Sequence, residues 1–473
     1  MALEIIGMRI LASFFGYSVF VWGTIIGIVL VSLSIGYWLG GILADICYSY
    51  ATIYKLILGS VLYLLVGIIA YPYFLEFLSE SSFLFGLIVS TCLLLVPPSV
   101  LLSMVPPIST KALLKKKDEG KTIGNVYAIS NVGSILGTFI TTFYLLPYLG
   151  SRNSMILCVF AMAFFIVLGF WLEKISKKKV LLVAILIAFF SFIIFNMSEP
   201  ITNRTLLKVE SIYNTIEVRE IGQTRWLLLN GHPMSYYEKK PTITNYFYDA
   251  LAVFPKITGA KNILILGFAT GTIANKTSYL LPNTKIEGVE IDPDVVKIAR
   301  EYFGLRESEK VRVFIDDARH FVKKTDGSYD IIINNTINAK FIPFHLVTKE
   351  FFEQCDKKLS EKGVMINYSM YSEEKTMIRD SIAKTMCQVF PSVFYLNFPN
   401  QQVSLVFGFK EKTTQSKIEE TIEEAMLDEQ SSDIKQLMQH IKQIREFDCS
   451  SNKGEIITDD KNPVDNITLE QII

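Results

Sequence analysis

The sequence has few charged residues and few of the residues that build metal sites or disulfide frameworks. Only 19% of its 473 residues are charged, and 46 Lys and Arg balance 46 Asp and Glu, so no net charge favours nucleic acid as a partner. Four His and six scattered Cys without a CxxC pair predict no metal site. The same scatter predicts no disulfide framework, and the cysteines are interpreted as small buried apolar residues.

Charge is scarcest in the N-terminal part of the chain. Between Ser18 and Pro106 the charged side chains are Asp45, Lys55, Glu76 and Glu80. The whole chain is 50% hydrophobic with a mean hydropathy of +0.35, which excludes an ordinary soluble protein of this length. The hydrophobic excess therefore belongs to a membrane domain.

Six apolar segments match the roughly 20 residues that a helix needs to cross a bilayer core about 30 Å thick. The predicted spans are about Ser18–Leu43, Thr52–Phe74, Phe83–Met104, Thr122–Leu149, Ser154–Leu172 and Val180–Phe195. The opening stretch, Met1–Phe15, is a little short to span and is interpreted as a truncated or half-inserted first helix.

Two short loops are rich in lysine, Lys111–Lys121 and Lys174–Lys179, and two predicted helices separate them. The positive-inside tendency places both loops in the cytoplasm. One more predicted helix, Val180–Phe195, would then carry the C-terminal part to the outside. A large domain that depends on a cytosolic metabolite would instead stay inside. We therefore predict a multi-pass protein of the plasma membrane and leave the side of its C-terminal part open.

From about Glu199 the pattern changes to short β-branched runs separated by amphipathic helices. Thr215–Glu220 and Arg225–Leu229 flank the turn Gly222-Gln223 and predict a β-hairpin. Five later runs predict a parallel sheet covered on both faces, and two more predict a closing antiparallel pair. These runs are Asn262–Leu266, Ile286–Val289, Val311–Ile315, Tyr329–Ile333, Gly363–Asn367, Phe394–Leu396 and Val403–Phe409.

The predicted fold is an N-terminal all-α multi-pass membrane domain followed by a C-terminal α/β Rossmann-type domain, with a small β-hairpin subdomain between them. The predicted boundaries are 1–198 for the membrane domain, 199–255 for the β subdomain and 256–410 for the Rossmann-type domain. Residues 411–473 are predicted to form a helical C-terminal tail.

Three strand ends carry side chains suited to a ligand, which in such a sheet lies at the carboxyl ends of the strands. The loop Gly267–Thr272 follows the first strand and opens a helix with small residues. Glu290 ends the next strand, where a carboxylate can accept hydrogen bonds from both ribose hydroxyls. Asp317 follows the third strand and can accept a hydrogen bond from an adenine amino group. Each acid alone also fits a helix N-cap, but the three together predict a nucleoside site.

Several motifs follow one another along the chain. They are ALEIIGMRILASFFG, GYWLGGILAD, NILILGFATGT, GVEIDPDVVKIAREYF, DDARHF, YDIIINN, IPFHLVTKEFFEQCDKKLSEKGVMIN and ITDDKNPVDN. In this order they resemble the spermidine synthase family, and with the helices they resemble its membrane-fused members. The resemblance implies a methyltransferase-type Rossmann fold after a small β-domain. It also implies transfer of an aminopropyl group from decarboxylated S-adenosylmethionine, the co-substrate, to an amine such as putrescine.

The resemblance assigns donor-binding roles to residues at the predicted strand ends. Glu290 would hold the ribose, and Asp317 in the DDARHF run would hold the adenine. The donor-binding positions are Gly267, Thr270, Gly271, Glu290, Asp317 and Ala318. The family's loop, GGGDGG, carries an Asp for the donor's amine, and this chain has Thr270 there.

The acceptor side departs from the family pattern. The family's catalytic segment has the form YDxIxxDxxD, and here YDIIINNTIN places Asn335 and Asn338 at the two acidic positions. Asn can orient an amine, but it cannot accept the amine's proton. Asp249 is the acid left from the acceptor-side set, so the predicted catalytic positions are Asn335, Asn338 and Asp249.

Three functional hypotheses follow. The leading one is a membrane-bound transferase of the aminopropyltransferase type. With Thr270 in place of the amine-binding Asp, the donor could instead be S-adenosylmethionine and the reaction methyl transfer. The third is a non-catalytic nucleoside- or polyamine-binding sensor or transport-linked protein, which tolerates Asn at both acidic positions.

The expected partners are a small amine, a nucleoside donor and the lipid bilayer, with a homodimer left open. The pair Asp459-Asp460 near the C-terminus fits a metal or amine site, but a capping turn before Pro463 is the simpler interpretation.

Overall fold

The computed structural model describes residues 1–16, 18–79, 81–114, 119–172, 192, 204–240, 242–244, 246–336 and 342–464. These residues form two compact units. The first contains the apolar helices together with the turn Glu210–Asn214, and the second contains the other residues from 204 onwards. The predicted boundary between residues 198 and 199 lies outside the described residues.

The first unit is helical, because a helix satisfies its own backbone hydrogen bonds where lipid offers no partner. Its described residues contain seven α-helices: α1 (Ala2–Phe15), α2 (Val19–Ile46), α3 (Tyr50–Ser79), α4 (Phe83–Ser103), α5 (Val105–Leu113), α6 (Glu119–Ile140) and α7 (Leu146–Leu172). A π-helical turn, Thr141–Leu145, joins α6 to α7. With 14 residues, α1 is about 21 Å long and too short to span.

Four stretches of the described chain are long and apolar enough to cross a membrane. They are Val19–Ile46, Tyr50–Ser79, Phe83–Leu113 and Glu119–Trp171. The first five predicted spans fall on these stretches, and two of them share the last stretch, which Gly150 interrupts with a φ of 74°. The sixth predicted span, Val180–Phe195, lies outside the described residues apart from Phe192.

Helices α2 and α4 pack closely along a glycine face. A Cβ on Gly36 would lie 1.8 Å from the Ser103 hydroxyl oxygen, and one on Gly40 would lie 2.7 Å from the Cα of Met104. Small residues let helix backbones approach each other in lipid, where close packing stabilises helix association. These glycines therefore serve helix packing in the first unit.

The second unit begins with a small antiparallel sheet. Its strands pair in the order β1 (Thr205–Glu210), β2 (Thr215–Ile221), β3 (Thr224–Leu229) and β4 (His232–Glu238). The predicted hairpin is confirmed as β2 and β3, with Ile221 opposite Thr224. The sequence did not predict β1 and β4. β4 contains Pro233, a residue that argues against a strand within a sheet, and the structure accommodates it beside a register shift between Leu227 and Leu228 of β3.

The larger sheet has the order β12-β10-β11-β9-β8-β5-β6-β7 in the described chain. Its strands are β5 (Asn262–Leu266), β6 (Lys285–Glu290), β7 (Val311–Ile315), β8 (Tyr329–Asn334), β9 (Leu359–Met370), β10 (Ser392–Phe398), β11 (Val403–Phe409) and β12 (Arg445–Glu446). β5 to β9 are parallel, and β10, β11 and β12 add antiparallel pairs at one side. The predicted Rossmann-type α/β fold is confirmed.

Helices cover both faces of this sheet. They are α8 (Phe247–Thr258), α9 (Thr272–Leu280), α10 (Pro293–Tyr302), α11 (Ala318–Lys324), α12 (Lys349–Asp356), α13 (Met377–Met386), α14 (Gln415–Leu427) and α15 (Ser432–Ile441). Side chains alternate across a strand, so Ile263 and Ile265 of β5 join one core cluster and Leu264 and Leu266 join the other. The tail helix α14 adds Ile422 to the first cluster.

The interpretation of the cysteines as small buried apolar residues is wrong for two of them, which form a disulfide. Cys387, at the end of α13, is bonded to Cys449, which follows β12, with their Cα atoms 5.7 Å apart. The two cysteines are separated by 62 positions, and Cys449 follows β12, which pairs with β10. Buried apolar surroundings are confirmed for Cys355, whereas the free Cys47 is exposed.

Reduction of this disulfide is expected to lower the free energy of unfolding of the second unit by about 4 kcal/mol, because the bond closes a loop of 62 residues in the unfolded chain. Pulse proteolysis over a urea series, on the full-length protein in detergent, measures the change. Cys449→Ser should show the same loss without reductant, and Cys47→Ser is the matched control. An unfolding midpoint that does not respond to reductant would contradict this expectation.

Candidate functional site

The carboxyl ends of four parallel strands meet at one edge of the large sheet, in the order β8, β5, β6 and β7. β5 leads into the glycine loop, Gly267–Thr272, and β6 ends at Glu290. β7 is followed by Asp316 and Asp317, and β8 by Asn335. The strand order therefore brings the sequence-predicted loop, acids and amide to the same edge.

The glycine loop is held tightly against the neighbouring strand ends. Gly267 has a φ of 76°, and a Cβ on it would lie 2.6 Å from the carbonyl oxygen of Asn335. The backbone N–H groups of Gly267 and Phe268 both donate to the carbonyl of Val289 at 3.0 Å. Only glycine fits this combination of positive φ and close approach. Gly271, with a φ of 83°, then begins α9.

Glu290 lies beneath this loop as a buried carboxylate. Its Oε2 accepts a hydrogen bond from the Ala269 backbone N–H at 2.8 Å, and its Oε1 accepts one from the Asp292 backbone N–H at 3.1 Å. Burial raises the pKa of Glu290 to about 7, although the backbone hydrogen bonds act in the opposite direction. The carboxylate thus couples the loop after β5 to the end of β6.

Asp317 caps α11 and also faces a histidine. Its Oδ1 accepts the His320 backbone N–H at 2.9 Å, which confirms the N-cap interpretation. Its Oδ2 lies 3.4 Å from Nε2 of His345, and the hydrogen bond to His345 holds the pKa of Asp317 below its usual range. Ala318 is the first residue of the helix and is buried.

Asn335 contacts the glycine loop. Its side-chain amide donates to the Gly267 carbonyl at 3.3 Å, and its backbone N–H donates to the Leu266 carbonyl at 2.8 Å. The side chain therefore lies at the end of β8 beside the glycine loop, and as a neutral amide it has no group that can accept a proton at neutral pH. Asn338 lies outside the described residues.

Thr270 is buried and directs its hydroxyl to the small sheet. Its Oγ1 donates to the Ser235 hydroxyl at 2.6 Å, and Ser235 in turn lies 2.7 Å from the Thr272 hydroxyl. Sequence reasoning missed Ser235, because the β4 segment was not recognised as a strand, and it included Thr272 only as part of the glycine loop. This chain of hydroxyl groups joins the glycine loop to β4 at the position where the family pattern has an Asp.

Asp249 is fully buried in α8 and forms an ion pair with Lys276 of α9. Its Oδ2 accepts hydrogen bonds from the Thr244 backbone N–H at 2.7 Å and hydroxyl at 3.0 Å. The Lys276 ammonium also donates to the Thr242 carbonyl at 2.6 Å and lies 5.1 Å from the centre of the Tyr236 ring. Burial opposes the charged form of Lys276, but the Asp249 carboxylate outweighs it and raises the pKa of the lysine.

Sequence reasoning also missed Lys276, His345 and Arg319 as neighbours of the site. Lys276 could have been noticed as the one charged residue of the short helix TIANKTSYL. Its partner, Asp249, is 27 positions away, so the ion pair is not visible in the sequence. In the part of the chain that the structure describes, no group of three or more His, Cys, Asp or Glu side chains is placed to hold a metal ion.

The sequence matches a known protein family and known proteins. A family profile described as the spermine/spermidine synthase domain matches residues 248–419, a range that includes the glycine loop, Glu290, Asp317 and Asn335. The chain is similar to a probable polyamine aminopropyl transferase of Bifidobacterium longum, with 27% identity over 289 residues, 56% of this chain and 62% of that protein. It therefore spans less than two thirds of that relative's length.

A second relative is covered more fully. A polyamine aminopropyltransferase of Clostridium beijerinckii is 31% identical over 211 residues, which are 42% of this chain and 72% of that protein. Among solved structures, a probable spermidine synthase from Corynebacterium glutamicum aligns with a TM-score of 0.41 and 22% identity, over 47% of this chain and 88% of that one.

Binding of a nucleoside at Glu290 is expected to depend on pH, because a ribose hydroxyl donates best to the ionised carboxylate. With the pKa of Glu290 at about 7, the affinity for 5′-methylthioadenosine should rise about tenfold from pH 6 to pH 8. Asp317 stays ionised over this range, since its pKa is lowered. Calorimetric titration of the full-length protein in detergent measures the affinity.

The variant Glu290→Gln is the matched control, because it keeps the shape of the side chain without a titrating carboxylate. Its binding should be weaker than that of the wild type and independent of pH. A wild-type affinity that stays flat between pH 6 and pH 8 would contradict the role of the Glu290 carboxylate.

Proposed function

The chain belongs to the spermine/spermidine synthase family, and from that premise we propose that its second unit binds decarboxylated S-adenosylmethionine and transfers the aminopropyl group to a small amine such as putrescine. The observation that carries this proposal is the Glu290 carboxylate, held by the Ala269 and Asp292 backbone N–H groups at the carboxyl end of β6. A carboxylate fixed in this place suits two neighbouring ribose hydroxyls.

The adenine of the donor would lie beside Asp317 and Ala318. Asp317 is held at the start of α11 by its hydrogen bond from the His320 backbone N–H, and its other oxygen lies toward His345. The donor's sulfonium end would then extend past the glycine loop. Thr270 would meet that end with a backbone and a methyl group, because its hydroxyl donates to Ser235.

The proposed reaction is a displacement at a carbon next to a sulfonium. The amine nitrogen forms a bond to the methylene carbon, the carbon–sulfur bond breaks, and methylthioadenosine leaves as a neutral thioether. The attacking nitrogen must first be a neutral amine. Asn335 can orient that nitrogen through its side-chain oxygen, but the proton must go elsewhere.

Asp249 contributes to the acceptor side as a structural anion in this proposal. Its Oδ1 holds the Lys276 ammonium and its Oδ2 accepts hydrogen bonds from Thr244, so both oxygens are engaged. We therefore propose that solvent takes the proton, and that the acceptor reacts from its small neutral fraction.

A second candidate keeps the nucleoside site without the transfer. It is a membrane sensor, and the observation that favours it is the Asn335 amide, which donates to the Gly267 carbonyl instead of carrying a proton-accepting carboxylate. Binding of a nucleoside would then tighten the contact between the end of β8 and the glycine loop.

The two candidates differ in the side of the membrane that they require. We propose an integral plasma-membrane protein, and its four stretches long enough to span support a multi-pass topology. The disulfide between Cys387 and Cys449 favours an oxidising compartment for the second unit. The two lysine-rich loops, followed by one further predicted helix, favour the outside of the cell. Outside the cell the cytosolic donor is absent, which would favour the sensor.

Transfer from decarboxylated S-adenosylmethionine to putrescine is expected to be slow at pH 7. It should rise about tenfold per pH unit toward the amine's pKa of about 10, because only the neutral amine attacks. The variant Asn335→Asp adds a base at the family's position and should raise the rate at pH 7 by about a hundredfold. Product analysis by mass spectrometry, with donor saturating, measures the rate.

Asn335→Ala is the control, since it removes the amide without adding a base and should not raise the rate. Nucleoside binding with no aminopropyl product from the wild type or Asn335→Asp at any pH would reject the transferase in favour of the sensor. An absence of nucleoside binding would reject both candidates.

The side of the membrane on which the second unit lies separates the two candidates, because the transferase requires the cytoplasm, where the donor is. If the unit lies outside, a membrane-impermeant maleimide labels Cys387 and Cys449 after mild reduction of intact cells, and the double variant Cys387→Ser/Cys449→Ser loses this labelling. Labelling that appears only after the membrane is permeabilised would place the unit in the cytoplasm and would favour the transferase.

A further inference from the structure

The C-terminal segment Cys449–Val464, here called the strap, lies along α12 and α13. The disulfide to Cys387 fixes its first residue. Further on, Ile457 and Val464 are buried in the core cluster that also contains β5 side chains. The strap is therefore an integral part of the second unit.

Backbone hydrogen bonds fix the middle of the strap. The Glu455 N–H donates to the Ser381 hydroxyl and the Ile457 N–H donates to the Thr385 hydroxyl, both at 2.9 Å. The Lys349 N–H donates to the Ile457 carbonyl, also at 2.9 Å. These contacts set the position of the residues that follow.

The next charged residue of the strap, Asp459, reaches the helix of the donor site. Both of its oxygens accept hydrogen bonds from the Arg319 guanidinium, at 2.8 and 2.6 Å. This bidentate geometry fixes the orientation of the guanidinium. The Asp459 backbone N–H donates to Glu350 of α12 at 3.0 Å. The Asp459 carboxylate is thus engaged in an ion pair with Arg319, whose side chain is only 12% exposed.

Arg319 connects this ion pair to the base-binding acid. It lies two residues after Asp317, and its Nη1 also donates to the His345 carbonyl at 3.2 Å. The same histidine places its Nε2 3.4 Å from Oδ2 of Asp317. A continuous path of contacts therefore leads from Asp459 through Arg319 and His345 to the Asp317 carboxylate.

We propose that the strap positions the Asp317 carboxylate for recognition of the nucleobase, with Asp459 and Arg319 as positioning residues. This inference rests on the proposed function for the assignment of Asp317 to adenine. Asp459 fixes the guanidinium, the guanidinium fixes the His345 backbone, and the His345 ring fixes one Asp317 oxygen. The orientation that remains suits a hydrogen-bond donor, such as the amino group of adenine.

The consequence is a specificity for an amino base over an oxo base. Adenine offers an amino group to the carboxylate, whereas hypoxanthine presents a carbonyl oxygen that repels it. An Asp317 carboxylate that is held in one orientation rejects hypoxanthine strongly, and a mobile one rejects it less. The ratio of the affinities for the adenine and hypoxanthine ligands therefore reports how firmly the Asp317 side chain is held, separately from the stability of the unit.

The test compares Asp459→Asn with Lys461→Gln. Lys461 is a matched control, because it also belongs to the strap and its ion pair with Glu455, at 3.1 Å, is exposed. Affinities for methylthioadenosine and methylthioinosine are measured by calorimetry on the full-length protein in detergent. A 2′-deoxy analogue of methylthioadenosine reports the Glu290 side of the site in the same way.

Wild type and Lys461→Gln are expected to prefer the adenine ligand by about tenfold or more, and Asp459→Asn should reduce this preference at least threefold. The loss of affinity on removing the 2′-hydroxyl should be the same in all three proteins. An unchanged adenine preference in Asp459→Asn would overturn the proposal. If Asp459→Asn weakened recognition of the base and of the ribose equally, the proposal would be overturned too, since that result indicates that the whole site has become less rigid.

A ligand-independent measurement separates this inference from the proposed function. If the wild type binds none of the nucleosides, the proposed function fails, and hydrogen–deuterium exchange of residues 316–322 then decides on the strap. Faster exchange in Asp459→Asn than in Lys461→Gln supports the positioning role. Equal exchange in the two variants overturns it.

Discussion

The buried Glu290 carboxylate is the constraint on which the rest of the site depends. A carboxylate in this position needs hydrogen-bond donors, and it receives them from the Ala269 and Asp292 backbone N–H groups. Those contacts fix the loop after β5, and the loop can take this path only because Gly267 accepts a positive φ against Asn335. One carboxylate therefore joins the ends of β5 and β6, and the loop that it holds packs against the end of β8.

The two halves of the site have different characters. On the side proposed to bind the donor, Glu290 and Asp317 place carboxyl groups at the ends of β6 and β7. On the side proposed to bind the acceptor, Thr270 donates to Ser235 and Asn335 donates to the Gly267 carbonyl, so neutral groups satisfy one another within the chain. In the proposed function, the first side therefore keeps acidic groups for the nucleoside, while the second has an amide at Asn335, which cannot accept a proton.

Sequence reasoning worked where the signal is local. The short apolar run Ile263–Leu266 predicted a strand, and the order of strands and helices after it predicted a sheet covered on both faces. Glu290 was predicted at a strand end because the apolar run stops there. Contacts between distant segments were not accessible, since spacing does not show which loops the topology brings together. The pairs Cys387–Cys449 and Arg319–Asp459, separated by 62 and 140 positions, are of this kind. Likewise, β4 was missed because Pro233 stands in a run that has little apolar alternation.

Lys276 gives the acceptor side a further property. Its ammonium is enclosed by the Asp249 carboxylate, the Thr242 carbonyl and the face of the Tyr236 ring. An anion, a carbonyl oxygen and an aromatic face are the groups that a protein offers to a bound alkylammonium ion. The chain therefore fills this set of contacts with its own lysine side chain. Because the ammonium belongs to the folded chain, its presence there does not depend on the concentration of any metabolite.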